Sequence, residues 1–305
     1  MDGVKPRFFP ELVGKPPNHP DYYIAAWQMR RDVIESWIAQ GETSLPRLLA
    51  RFLRFERHYG LGGTAQDGLM AGTLYFVPVS EDADFALAAL ERWHPAIIRG
   101  RDAEILDYLR FDLTDMLVEF ADGVDTVLEL GSGYGLQLFR MFHGGAPADI
   151  RYVGGEPTDS GRALAERLAA LEPAMRFESV DFDIHTPDWS CLEGSRKALI
   201  FTSWSLMYAD FIPDEFFRAL AAWPGEATLV FCEPLGFQWG ISHPVSQAQA
   251  DIHENGGLNG DLVVALDKAV RQGLIEPLLV AKDVFARRTD PFDLMSVVVC
   301  AKPAA

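Results

Sequence analysis

Cysteine is scarce in this chain. Cys191, Cys232 and Cys300 lie far apart among 305 residues, and no Cys-x-x-Cys pair occurs. That excludes the usual zinc and dithiol motifs. Cys232 and Cys300 fall in apolar runs, so reduced core thiols and a cytoplasmic home are expected. Long apolar runs are also missing. No stretch of about 18 apolar residues passes without a charge, so no membrane span is expected. The opening residues Met1-Asp2-Gly3-Val4-Lys5-Pro6 lack a basic region followed by an apolar one, so no secretory signal is expected. Positive charge is short: 27 Lys and Arg stand against 44 Asp and Glu, a formal net charge of −17. Such a surface repels polyanions. The adjacent basic pairs, Arg30-Arg31, Arg196-Lys197 and Arg287-Arg288, are too small to reverse that. No nucleic-acid partner is expected.

What is present is enough apolar material for a large core, since hydrophobic residues make up 49% of the chain. The length suits one large domain, or a domain with a substantial cap. Residues 1–20 hold five prolines and little periodicity, which predicts an irregular arm. Apolar residues near a 3.6-residue period predict helices over 21–39 and 46–59. Gly60-Leu61-Gly62-Gly63 is read as the cap of the second helix. Residues 73–77 predict a short strand. Ser80 is a plausible N-cap for a helix reaching Trp93, and a longer helix is expected over 102–120. Tyr22, Tyr23, Trp27, Trp37 and Trp93 are candidate aromatic walls, although aromatics at helical spacing usually belong to a core or a dimer face. A homodimer is left open.

From Val124 the texture changes. Short apolar runs at 124–130, 150–154, 175–180, 198–202, 228–232 and 294–300 alternate with amphipathic stretches at 136–142, 160–171, 213–223 and 260–272. Residues 278–285 add a further strand, next to the last one. Strand–helix alternation predicts a doubly wound, mainly parallel α/β sheet of seven strands. The N-terminal hundred residues are expected to form a mostly helical cap, and residues 101–305 the ligand-binding domain. Arg99 and Arg101, at that junction, are read as ordinary surface or ion-pair residues.

The most specific motif is Val127-Leu128-Glu129-Leu130-Gly131-Ser132-Gly133-Tyr134-Gly135-Leu136. An apolar strand carries a carboxylate near its end, and glycines at alternate positions lead into a helix. Glycine accepts positive φ and lets a ligand approach the backbone. In open α/β sheets, ligands sit outside the carboxyl ends of the strands. A dinucleotide loop reads Gly-x-Gly-x-x-Gly; here the third position is Leu136, which argues against an NAD(P)-dependent oxidoreductase.

Gly-x-Gly-x-Gly with Glu129 just before it resembles motif I of the class I S-adenosylmethionine-dependent methyltransferases. The resemblance covers roughly residues 100–305 and implies a Rossmann-like sheet and S-adenosyl-L-methionine as cofactor. It implies that Glu129 serves the methionine part, and that Gly131, Ser132, Gly133 and Gly135 cradle the amino acid and ribose. Glu156 ends the second strand, 27 residues after Glu129. It is placed to accept the ribose hydroxyls, with Pro157 beside it. Asp181 and Phe182 match the adenine position, with Asp183 as a competitor. Ser203, in Phe201-Thr202-Ser203-Trp204-Ser205-Leu206, borders the expected methyl.

Methyl transfer needs alignment of nucleophile, methyl and sulfur, and a base only for a protonated nucleophile. Glu233, at the end of the fifth strand in Cys232-Glu233-Pro234, and the histidines His185 and His253 are the candidates. His253, with His243, lies in the unusually long connection from Gly236 to Gly260, which is expected to be irregular and functional. Asp251, His253 and Glu254 are conceivable metal ligands but read more simply as solvated side chains, so no metal is expected. The segments 201–206 and 231–234 resemble those of sugar O-methyltransferases, which implies an oxygen of a small molecule as acceptor. A carboxyl, nitrogen or peptide acceptor stays open, and so does a protein that binds the cofactor without turnover.

Overall fold

The computed structural model describes residues 5–17, 19–66, 68–78, 113–241, 244–285 and 294–304. Seven strands form one sheet: β4 (Thr126–Leu130), β5 (Arg151–Gly155), β6 (Arg176–Val180), β7 (Lys197–Ser203), β8 (Glu226–Glu233), β9 (Glu276–Phe285) and β10 (Met295–Lys302). Their order is β6-β5-β4-β7-β8-β10-β9. The first five run parallel, while β10 is antiparallel to both β8 and β9. The order reverses at β4, so the chain winds out along one side and then the other. The predicted doubly wound, mainly parallel sheet is therefore the observed one. The parallel ladder matches Leu130 with Gly155 and with Thr202, which brings the strand tips level at one edge.

Alternation along the strands divides the core in two. Val127, Leu199, Phe201, Val230 and Val299 pack on one face, with α1 (Pro20–Ala39), α2 (Leu45–His58), α3 (Leu113–Phe120), α4 (Leu136–His143) and α5 (Asp159–Ala169). Leu128, Ala198, Ile200, Leu229 and Phe231 face the other way, onto α6 (Asp214–Ala222) and α8 (Leu262–Arg271). Burial on both faces is why these strands read as near-continuous apolar runs. Val33, Ile34 and Trp37 of α1 and Leu48 and Phe52 of α2 belong to the first of these clusters, so the N-terminal helices share the core of the sheet.

Local signals set the helix starts. Pro20 opens α1 behind His19, whose ring accepts the Asp21 amide. The Thr158 hydroxyl caps α5 by accepting the Gly161 amide at 3.2 Å, with Asp159 in the first turn, where the helix dipole favours an acid.

Three expectations are corrected. Gly60-Leu61-Gly62-Gly63 does not cap α2: it lies within β2 (Tyr59–Gln66), which pairs antiparallel with β3 (Leu69–Pro78). The missing Cβ atoms admit facing side chains, since a Cβ at Gly63 would stand 3.1 Å from Leu74 and one at Gly62 would stand 3.4 Å from Tyr75. The N-terminal arm is not wholly irregular, because β1 (Arg7–Phe8) joins that hairpin as a third strand and a 3₁₀ turn spans Pro10–Leu12. The N-terminal region is thus helix plus a small sheet. The Gly236–Gly260 connection holds a 3₁₀ turn, Gly236–Trp239, and a helix, α7 (Pro244–Gly256). The expected helix from Ser80 to Trp93, the first part of that over 102–120, the junction at Arg99 and Arg101, His243 and Arg287-Arg288 lie outside the described residues.

Cys232 and Cys300 are buried, Cys191 is half-buried, and all three are free thiols. No described helix is long and apolar enough to cross a membrane.

Candidate cofactor site

The glycine loop leaves β4 at the topological switch point and enters α4. Gly131, Gly133 and Gly135 have φ of +70°, +53° and +82°, a left-handed backbone that side chains resist. The Gly131 and Ser132 amides both donate to the Gly155 carbonyl, at 2.7 and 3.1 Å. Two small residues in β5 make this approach feasible. A Cβ at Gly154 would lie 2.8 Å from Ser132 Oγ, and one at Gly155 would lie 3.1 Å from Phe182 Cβ. Paired glycines inside a strand are a signal of close backbone approach, and it passed unused in the sequence reading.

Each glycine of the loop is also covered. A Cβ on Gly131 would meet Ser205 Cβ at 2.3 Å, and one on Gly133 would meet the Trp27 ring at 2.6 and 2.7 Å. Ser205 donates its hydroxyl to the Leu130 carbonyl at 2.7 Å. Tyr134 packs edge-on to Trp27 with ring centres 5.6 Å apart. Helix α1 therefore crosses the sheet's carboxyl edge above the loop. One turn back on this helix, Tyr23 meets Tyr208 with ring centres 5.2 Å apart.

The acidic strand tips differ. Glu129 is buried at 4% exposure, and its Oε2 has no hydrogen-bond partner. Burial raises its pKa well above the ordinary carboxylate range, against the pull of the Leu138 amide, and the neighbouring Glu156 raises it further. Ser132 Oγ, on the loop itself, is likewise buried without a partner. Glu156 is satisfied within the chain: its Oε2 accepts the Gly133 amide at 3.0 Å, and its Oε1 accepts the Thr158 amide at 3.0 Å and the Thr158 hydroxyl. It was expected to face a ribose; here it braces the glycine loop, and its remaining lone pairs are what it can offer a ligand. Pro157, beside it, is exposed.

Beyond β6, Asp181 is 71% exposed and lies 3.3 Å from Arg162, whose guanidinium also donates to the Glu156 carbonyl at 2.6 Å. Phe182 is buried against Trp189, with ring centres 5.0 Å apart. The expected pair therefore divides, the acid outside and the ring inside. Ser203 ends β7, half-buried. The next residue, Trp204, has a φ of +53°. A bulky residue in that region is strained, and strain of this kind collects at functional turns.

Of the candidate bases, Glu233 is the most enclosed, at 1% exposure. Its Oε1 accepts the Ser205 and Leu206 amides at 3.1 and 3.2 Å, which fixes the turn that covers Gly131, while its Oε2 has no partner. Burial pushes this carboxyl up to about 7, although those amides pull it down. His185 is held between two carboxylates, Asp183 at 3.1 Å and Asp210 at 2.7 Å. His253 is buried in α7 against the Phe237 ring, with Nδ1 2.9 Å from the Asn259 carbonyl. Burial lowers its pKa. Asp251 and Glu254 are exposed on the same helix while His253 is not, so the three do not converge.

Asn259 was not singled out from the sequence. Its amide donates to Met207 O at 2.8 Å and its side chain to Ala209 O at 3.1 Å, while its Oδ1 accepts the Leu262 amide at 3.0 Å. One asparagine thereby ties the turn after β7 to the start of α8.

No family model matches the chain, and no curated protein matches its sequence. Solved structures do resemble it. A geranyl diphosphate C-methyltransferase from Streptomyces coelicolor A3(2), in complex with Mg²⁺, geranyl diphosphate and S-adenosyl-L-homocysteine, is 11% identical with a TM-score of 0.44, over 63% of this chain and 77% of that one. The N-terminal domain of EvdMO1 with S-adenosylhomocysteine bound is 16% identical, TM-score 0.41, over 86% and 98%. The [4+2]-cyclase SpnF is 18% identical, TM-score 0.41, over 63% and 81%. These likenesses are slight, and the fold rests on the strand order itself.

Proposed function

We propose that the chain is an S-adenosyl-L-methionine-dependent methyltransferase of small molecules, with oxygen as the acceptor atom. The observation that carries the reading is Glu129 Oε2, a buried acceptor with no donor, beneath a glycine loop at the switch point of the sheet. A buried carboxyl in that state calls for a cation or a donor. The cofactor brings both an ammonium group and a sulfonium. A dinucleotide brings a pyrophosphate, which a carboxylate repels.

In this reading Glu129 and the loop from Gly131 to Gly135, with Ser132, receive the amino-acid end of the cofactor. Glu156 and the neighbouring Pro157 border the ribose. Asp181 reaches the adenine amino group over the edge formed by Phe182, and Ser203 borders the methyl. When bound, the cofactor supplies an electrophilic methyl on sulfur; the chain supplies alignment and keeps water out. A hydroxyl acceptor must lose its proton. Glu233, held near neutrality and with one oxygen uncommitted, is the proposed proton acceptor. His185 is committed to Asp183 and Asp210, and His253 to a packed interior, which makes both weaker candidates.

Calorimetric titration tests the cofactor: S-adenosylhomocysteine is expected to bind with a Kd of about 1–50 μM, and NAD not at all. The acceptor is tested by incubating protein and cofactor with sugars, phenols, carboxylic acids and amines, then following S-adenosylhomocysteine release. Oxygen is overturned if only amines or carboxylates gain a methyl. Cofactor binding without any turnover favours the non-catalytic alternative.

A further inference from the structure

Trp27 lies against the glycine loop at Gly133. Gly133 has a φ of +53°, and the space its missing side chain leaves is filled by the indole, 2.6 Å from the position of an added Cβ. Nothing wider than van der Waals contact separates ring from backbone. The ring is also held from above. The Arg30 guanidinium lies 4.9 Å over it, and Arg30 Nε donates to Glu56 of α2 at 2.9 Å. Tyr134 closes one side, itself packed on Phe52 at 5.3 Å. One turn back on α1, the Ile24 carbonyl accepts the Ser160 hydroxyl of α5 at 2.9 Å, which pins the helix across the strand tips. Trp27 is thus a side chain with a defined partner on each side, not a surface aromatic.

We infer that Trp27 gates the cofactor site: the indole and the amino-acid end of the cofactor compete for the same backbone at Gly133. The inference rests on the cofactor reading above. The indole has to swing off the loop before the cofactor seats, and the Arg30–Glu56 contact resists that swing. Association is therefore limited by the swing of the indole, not by encounter. The fraction of molecules with the loop uncovered scales the apparent affinity directly.

Stopped-flow mixing with S-adenosylhomocysteine tests this on the full chain. Trp27→Ala removes the competitor, and its association rate and affinity should both rise about tenfold. Removing a packed indole also loses contacts, so a second variant leaves the ring in place. Glu56→Gln weakens only the hold on Arg30, and it should raise the association rate by about threefold, with less effect on affinity. At high ligand concentration the wild-type observed rate should reach a plateau set by opening; the plateau should rise in Glu56→Gln and vanish in Trp27→Ala, whose rate should stay linear in ligand. The gate is overturned if Trp27→Ala binds more weakly, which would make the indole a wall of the pocket. It is equally overturned if rates stay linear in ligand and unchanged in Glu56→Gln. If neither wild type nor variants bind the compound, the cofactor reading itself falls and takes the gate with it.

Discussion

The middle of the sheet's carboxyl edge, at β4 and β5, and the two strands that flank it, β6 and β7, are built on opposite plans. Around β4 and β5, charge is buried. Glu129 has an oxygen without a donor, and Glu156 spends its oxygens on the Gly133 amide and on Thr158. Around the ends of β6 and β7, charge is exposed and mutually paired: Asp181 with Arg162, and His185 with Asp183 and Asp210. Exposed pairs exchange partners with water at little cost and add about 0–1 kcal/mol each. A buried acceptor without a donor costs several times as much. Binding energy for a cationic ligand should therefore concentrate on the middle pair, and the flanking strands should tune it.

The largest expected effect follows from Gly133→Val. A β-branched residue at positive φ is strained, and its side chain would enter the Trp27 ring. Affinity for S-adenosylhomocysteine should fall about 100-fold or more, equivalent to ~2.7 kcal/mol, as read by calorimetry. Unchanged affinity would remove the loop from the site.

Next comes Glu129→Gln, where two readouts should move in opposite directions. Burial disfavours the ionised carboxyl, so a neutral isostere should raise the melting temperature at pH 8 by a few degrees. Losing the charge should weaken cofactor binding about tenfold. A variant that melts lower, or binds equally well, would show that Glu129 is already served in the free protein.

Glu233→Gln, at the tip of β8, tests a third buried carboxyl through its pH dependence. The folded pKa of Glu233, about 7, lies above the ordinary 4.5. The folded state therefore binds a proton more tightly than the unfolded chain does. That contribution is fully present below pH ~4.5 and is lost as pH rises through ~7. Denaturant titrations of wild type minus variant should show a difference that changes by roughly 2–3 kcal/mol across that window and is flat above it. A flat difference throughout would mean that the carboxyl titrates normally.

Asp181→Ala should do least. With the side chain 71% exposed, stability should change by less than about 1 kcal/mol, and cofactor affinity should fall about threefold. A loss as large as that of Glu129→Gln would reverse the ranking of the middle pair over its flanks.

The same contrast explains what could be read from the sequence. Strands buried on both faces write near-continuous apolar runs, so β4, β5, β7 and β8 and their order of appearance were visible, as was the glycine loop with its acid. The neighbourhood of β9 and β10 was also expected, but the reversed direction of β10 and its pairing with β8 leave no local trace, because they depend on distant segments. Helix α7 was hidden for a different reason. Its buried positions include Ser246, Gln249 and His253, so its inner face is polar and its apolar period is broken. The glycines of β2 pointed to a turn because their role is to admit Tyr75 and Leu74 from the opposite strand, a partner no local window contains. The roles of Asn259 and Trp27 likewise come from contacts with distant segments.

The reversed last strand also decides which way the chain leaves the molecule. Ser296 lies beside Glu233, whereas Lys302 lies beside Ala227, at the opposite end of the ladder. There the Lys302 ammonium donates to the Trp223 and Gly225 carbonyls and anchors the exit. A fluorophore, affinity handle or solid support joined after this anchor would depart from the rim remote from the glycine loop, leaving that loop clear for immobilised binding measurements.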